Sequence, residues 1–154
     1  MLTGDWEFRQ AGSEVWYKAD VPGCVHTDLI ANGLIEDPFY GRNEKSLQWV
    51  GEKDWEYRKI FRIEDKTSLV SNAYMILEGV DTYAQISING LPVGNADNMF
   101  RTWRFDIKDM LKEGDNEILI EFESVFRHDM PKYLDAPYSL MASPNNDQSD
   151  VWLS

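Results

Sequence analysis

At 154 residues the chain has the length of one domain, and such a domain buries roughly 70% of the surface its unfolded form exposes without needing disulfide or metal staples. Fifteen basic against 27 acidic side chains give a formal charge of -12, which repels a phosphate backbone and the anionic cytoplasmic leaflet, so no nucleic acid and no membrane surface is an expected partner. The single Cys24 excludes an internal disulfide framework and a cysteine-rich zinc site, and no apolar stretch approaches the roughly 20 residues of a membrane span.

Aromatic residues alternate with polar ones over 6–10 and 16–21, and Ala11, Gly12 and Ser13 read as the turn joining two short strands. Pro22 and Gly23 stop the second strand, and Cys24 beside them is expected to be a small buried thiol. Residues 25–33 predict a short helix that ends where Asn32 or Gly33 takes the left-handed conformation. The stretch 36–44 is turn-rich, and 45–50 predicts a second short helix stopping at Gly51.

Residues 54–63 form the best long strand, with Trp55, Tyr57, Phe61 and Ile63 on one face and Glu56, Arg58 and Arg62 on the other. Residues 72–78 are nearly continuously apolar, as expected of a strand covered on both faces. Next, Ala84, Ile86 and Ile88 share one face of an extended run while Tyr83, Gln85 and Ser87 share the other. Asn89 and Gly90 tolerate the positive φ of a type I′ turn, so 91–94 folds back to complete a hairpin.

A strand at 102–106 follows, and Asp106 can cap one helical turn through Leu111, which Gly114 closes. Asp115 and Asn116 then turn the chain into 117–123, where Ile118, Ile120 and Phe122 face inward. Beyond Ser124 the periodicity fades, and 135–150 has the composition of a long mobile loop. Seven or eight short strands joined by turns predict an all-β, antiparallel sandwich forming a single domain over 1–154. The two helical excursions are too short for an α/β fold.

Candidate chemistry is sparse. Carboxylates are plentiful, yet no pair is placed by sequence for paired general acid and base work, and Glu121 and Glu123 share a solvent-facing strand surface. His26, beside Thr27 and Asp28 at a helix start, reads as a general base or as a hydrogen-bonded structural histidine, and His128 is equally ambiguous. Two histidines and one cysteine far apart in sequence do not make a metal site or a Cys/His nucleophile. The stretch 145–150 has calcium-like chemistry but lacks EF-hand spacing and its glycine. Among the tryptophans, alternation puts Trp55 and Trp103 on core faces. Trp49, in the loop excursion, is the candidate substrate-binding residue: its indole either offers a sugar a stacking face or lies as a lid over the sandwich edge.

These motifs, in this order, resemble the jelly-roll, galactose-binding-like accessory domain at the N-terminus of glycoside hydrolase family 2 enzymes. The resemblance rests on the aromatic strand 55–61, Gly79-Val80-Asp81, the Ile88-Asn89-Gly90 hairpin, Phe105-Asp106-Ile107 and Gly114-Asp115-Asn116. The segments 21–30, 37–44 and 47–50 are most similar to its β-mannosidase branch, and the motifs together span about four fifths of the chain.

The resemblance implies a parent enzyme that removes terminal β-D-mannose with retention, using two glutamates on a later catalytic barrel. It therefore implies no catalytic residue and no cofactor in this chain, with the barrel as its partner and β-linked mannosides reached through the parent enzyme. A tryptophan-aspartate-tryptophan-glycine-proline segment expected late in this domain is absent. The sandwich is accordingly expected to lack its final strand or strands, leaving a sheet edge through which chains self-associate. Two alternatives stand beside this reading: an autonomous carbohydrate-binding module, and the same domain from a β-galactosidase or β-glucuronidase. The start of the chain has no secretory pattern; a removed leader would imply a periplasmic, secreted or lysosome-like location, and otherwise a cytoplasmic one.

Overall fold

The structure, a computed structural model, describes residues 2–36, 47–65 and 72–134. Eight strands form two antiparallel sheets, as the alternation predicts. They are β1 (Trp6–Gln10), β2 (Tyr17–Ala19), β3 (Trp55–Ile63), β4 (Tyr74–Leu77), β5 (Ala84–Ile88), β6 (Leu91–Ala96), β7 (Trp103–Asp106) and β8 (Gly114–Phe122). The large sheet has the order β2-β1-β3-β8-β5-β6, and β4 pairs with β7 in the small one. Three helices complete the described chain: α1 (Val25–Ala31), α2 (Trp49–Glu52) and α3 (Val125–Leu134).

The strand registers are in phase. Tyr17 faces Phe8, Phe8 faces Tyr57, Tyr57 faces Ile120, Ile120 faces Ile86, and Ile86 faces Gly94. Because side chains alternate with a period of two, this in-register row turns one apolar face inward across all six strands. Phe8 and Ile88 are fully buried, and each such side chain contributes about 1.5–3 kcal/mol by leaving water. At the end of the row Gly94 has no side chain, and there the Phe105 ring of β7 lies against the backbone. This vacancy docks the small sheet on the large one.

On the outer face, opposite charges sit directly across from one another. Glu7 faces Arg58 and Arg9 faces Glu56, with Nε to carboxylate distances of 2.7 and 2.5 Å. Both guanidinium groups also cover the Trp16 ring, at 4.3 Å for Arg9 and 4.1 Å for Arg58.

The hairpin forms as read. Asn89 and Gly90 have φ of 52° and 77°, the positive values a type I′ turn requires. Asn89 also holds the start of β8: its Nδ2 donates to Met110 O and Asn116 Oδ1, and its Oδ1 accepts from the Glu117 N–H. Asp106 Oδ1 accepts from the Lys108 N–H at 3.1 Å and opens a 3₁₀ turn over Lys108–Met110.

Several expectations are corrected. Strand β8 begins at Gly114, so Asp115 and Asn116 lie within it; Asn116 is buried, and its amide closes the preceding turn onto Lys112 and Gly114. Strand β4 is covered on one face only, with Tyr74 and Ile76 40% and 57% exposed. Helix α2 runs through Gly51 to Glu52. Cys24 is exposed at the start of α1, because the helix turns Asp28 and Leu29 toward the core instead. Residues after Ser124 form α3, started by Ser124, whose Oγ lies 3.4 Å from the Arg127 N–H it accepts. The turn-rich reading beyond Glu36, the start of the second predicted helix and the loop at 135–150 lie outside the described residues.

Candidate functional site

Two adjoining clefts open where the β1–β2 turn, α2, the start of β3 and the end of β8 meet, and they share Ala11 and Trp55. Trp55 is buried, and its indole N–H donates to Val50 O at 2.9 Å, so strand and helix hold each other. Helix α3 is fastened to the same corner. Ser124 donates from Oγ to Gly51 O at 2.7 Å and from its backbone N–H to Asp54 Oδ1 at 2.7 Å, while Arg127 pairs with Asp54. A side chain on Gly51 would place its Cβ 2.9 Å from the Phe126 ring, so glycine lets the two helices approach.

The first cleft, of about 500 Å³, is aromatic: Phe8, Tyr17, Trp49 and Trp55 line it with Gln10 and Ser13. Trp49 is half-buried on the core, 6.2 Å from Trp55 between ring centroids and tilted by 43°. It thus covers the sandwich edge while keeping part of its indole on the cleft. Trp55 and Trp103 are on core faces as predicted, but Trp103 belongs to the small sheet, stacked with Phe105 and away from both clefts.

The second cleft, of about 520 Å³, is acidic, and Asp54, Glu56, Asp97, Glu121 and Glu123 line it with His128 and Tyr83. Glu121 and Glu123 are exposed as expected, now on the rim of this cleft. Glu56 is paired with Arg9, Asp54 with Arg127, and Glu123 Oε2 lies 3.2 Å from His128 Nδ1. The His128 ring stacks on Tyr83 at 3.7 Å, and the Tyr83 hydroxyl donates to Asp129. Desolvation pushes the Asp54 carboxyl up, but the hydrogen bonds from Arg127 and Ser124 and the Arg127 charge outweigh it, holding the group below its ordinary value. His26 lies on α1 outside both clefts.

These pairings hold helices on the sheet. Among the described residues no group of three His, Cys, Asp or Glu side chains is arranged to hold a metal ion. Sequence reasoning missed the Asp54–Arg127–Ser124 joint and the buried Asp28. For the joint, the one available signal was Ser124 as a helix cap.

The antiparallel sandwich, with its clefted corner occupied by ion pairs, is a scaffold of the galactose-binding-like class. The chain belongs to the family described as "Glycosyl hydrolase 2 galactose-binding domain-like", which matches residues 6–152. It is 35% identical over 127 residues to a probable beta-mannosidase of Caenorhabditis elegans, covering 82% of this chain and 14% of that protein. It is 39% identical over 128 residues to beta-mannosidase B of Thermothelomyces thermophilus, covering 81% and 15%. Among solved structures, a beta-D-mannosidase from Dictyoglomus thermophilum matches with a TM-score of 0.86 and 44% identity, over 93% of this chain and 18% of that one. The exo-chitosanase CsxA of Amycolatopsis orientalis, at 21% identity and a TM-score of 0.68, shares the fold alone. The chain thus spans 14 to 15% of the length of these curated relatives.

Proposed function

We propose that this chain is the non-catalytic accessory domain of a retaining β-mannosidase-like glycoside hydrolase that removes terminal β-D-mannose. It packs against the catalytic barrel and helps shape the rim of its pocket. The 44% identity to the Dictyoglomus enzyme over 93% of the chain carries this reading. Release from a chromogenic β-mannoside tests it, with β-galactoside and β-glucuronide in parallel to separate the sugars. The longer parent polypeptide turns over the mannoside and the 154-residue chain does not. Turnover by the chain alone, abolished by substituting one of its residues, overturns the reading.

A second reading, an autonomous carbohydrate-binding module, is favoured by the half-buried Trp49 on its aromatic cleft. Titration calorimetry with mannose, manno-oligosaccharides and galactose separates the two. Saturable binding that disappears in Trp49→Ala supports the module, and no heat from the folded chain removes it.

A further inference from the structure

The turn between β6 and β7 carries the most exposed large apolar side chain among the described residues: Phe100 is 91% exposed, and Met99 beside it 40%. Leaving a phenylalanine in water forgoes about 1.5–3 kcal/mol. Yet the turn is braced to hold it there. Asn98 Oδ1 accepts from the Phe100 N–H at 2.8 Å, and Asn98 O accepts from the Arg101 N–H at 3.4 Å and from the Trp103 indole at 3.3 Å. The Arg101 guanidinium lies over the Trp103 ring at 4.5 Å, tying the far side of the turn to the small sheet. With its backbone already ordered, the turn has less freedom left for binding to remove.

We infer that Met99 and Phe100 form a docking knob that seats in an apolar pocket of a neighbouring folded domain of the same polypeptide. This rests on the accessory-domain reading above, and two arguments choose that occupant over a second copy. One aromatic ring supplies on the order of 200 Å², far less than the roughly 1,200–2,000 Å² of a free-standing interface. A covalently joined neighbour is held at a millimolar effective concentration, where so small a contact is enough. The charge of -12 also opposes approach of an identical chain. The relatives are consistent with this, since their sequences are about seven times longer than the stretch that matches.

Hydrogen exchange at residues 97–102, measured in the 154-residue chain and in the longer parent polypeptide, tests the inference. The expected result is exchange at least tenfold slower in the longer polypeptide. Phe100→Glu should abolish that protection and separate the melting of this domain from the rest, and Phe100→Leu should retain most of it. Both variants should leave the melting temperature of the 154-residue chain unchanged, because the ring touches little within it. Equal exchange in the two proteins, or a Phe100→Glu parent that melts like wild type, overturns the inference. So does a concentration-dependent dimer of the 154-residue chain that Phe100→Glu dissolves. Turnover of a β-mannoside is scored separately: protection without turnover sinks the enzymatic reading and leaves the docking contact standing.

Discussion

The Tyr57 hydroxyl donates to Asp28 Oδ2 across 2.8 Å, joining the middle of α1 to the core face of β3. The other carboxylate oxygen accepts the Asp20 N–H at 2.9 Å, so a side chain only 3% exposed is satisfied at both oxygens. A buried acceptor of this kind costs little while its donors remain and much once one is removed.

Tyr57→Phe is therefore expected to lower stability by about 1.5–3 kcal/mol in urea unfolding, more than the loss of one hydroxyl at the surface would. A change within experimental error would show that Asp28 is solvated by another route.

The same pair makes the fold sensitive to alkali. Burial, then the Asp28 hydrogen bond and charge, push the Tyr57 hydroxyl far above its ordinary value of 10.0. The folded value exceeds the unfolded one, so this contribution is fully present below about pH 10 and is lost as pH rises above it. In a spectrophotometric titration one phenol should ionise only together with unfolding, and Tyr57→Phe should lack that step.

At the acid end the sign is reversed. Asp54 is held below 3.8 in the folded chain, so its contribution is present above about pH 4 and is lost as pH falls further. Asp54→Asn should flatten the fall in stability below about pH 4, and Arg127→Gln should do the same if the pair acts as one unit. Unchanged slopes in both variants would remove Asp54 from the acid response.

The hairpin tip separates backbone geometry from hydrogen bonding. Asn89→Gly keeps the positive φ but loses the bonds to Met110, Asn116 and Glu117, whereas Asn89→Ala loses both. The alanine variant should be less stable than the glycine variant by about 1–2 kcal/mol, the cost of a left-handed non-glycine residue. Equal melting points would mean that the amide alone selects asparagine.

How much of this was legible depended on range. The hairpin could be read because its evidence is local: a period of two in Ala84, Ile86 and Ile88, then the turn chemistry of Asn89 and Gly90. Strand β4 looked doubly covered because Tyr74 and Ile76 are apolar, but sequence does not show that the small sheet has solvent behind it. Helix α3 was hidden by Pro131 and by Arg127, His128 and Asp129, since its anchorage comes from Asp54 and Gly51, 70 and 73 residues before Ser124. Trp49 was singled out as a candidate by its place in a turn-rich excursion, and the structure puts it at the start of α2. The Trp55 beside it and the pairing of Asp28 with Tyr57 exist only once strands are in register.

Gly94 tests how the two sheets meet. A methyl group there would run into the Phe105 ring, and Gly94→Ala should destabilise the fold by about 1–3 kcal/mol through overpacking. Combining it with Phe105→Leu should recover part of the loss, and an additive double variant would argue against direct contact.

The place of β8 between β3 and β5 bears on how the protein is made. Strand β3 pairs at Trp55 with Phe122 and at Ile63 with Gly114, so a growing chain carries the open edge of β3 until β8 has left the ribosome. Until then β2-β1-β3 and β5-β6 are two separate fragments of sheet, each with an exposed apolar face. Synthesis paused before residues 114–122 have emerged would leave an intermediate with exposed apolar faces, whereas a pause after they have emerged would let β8 join the two fragments.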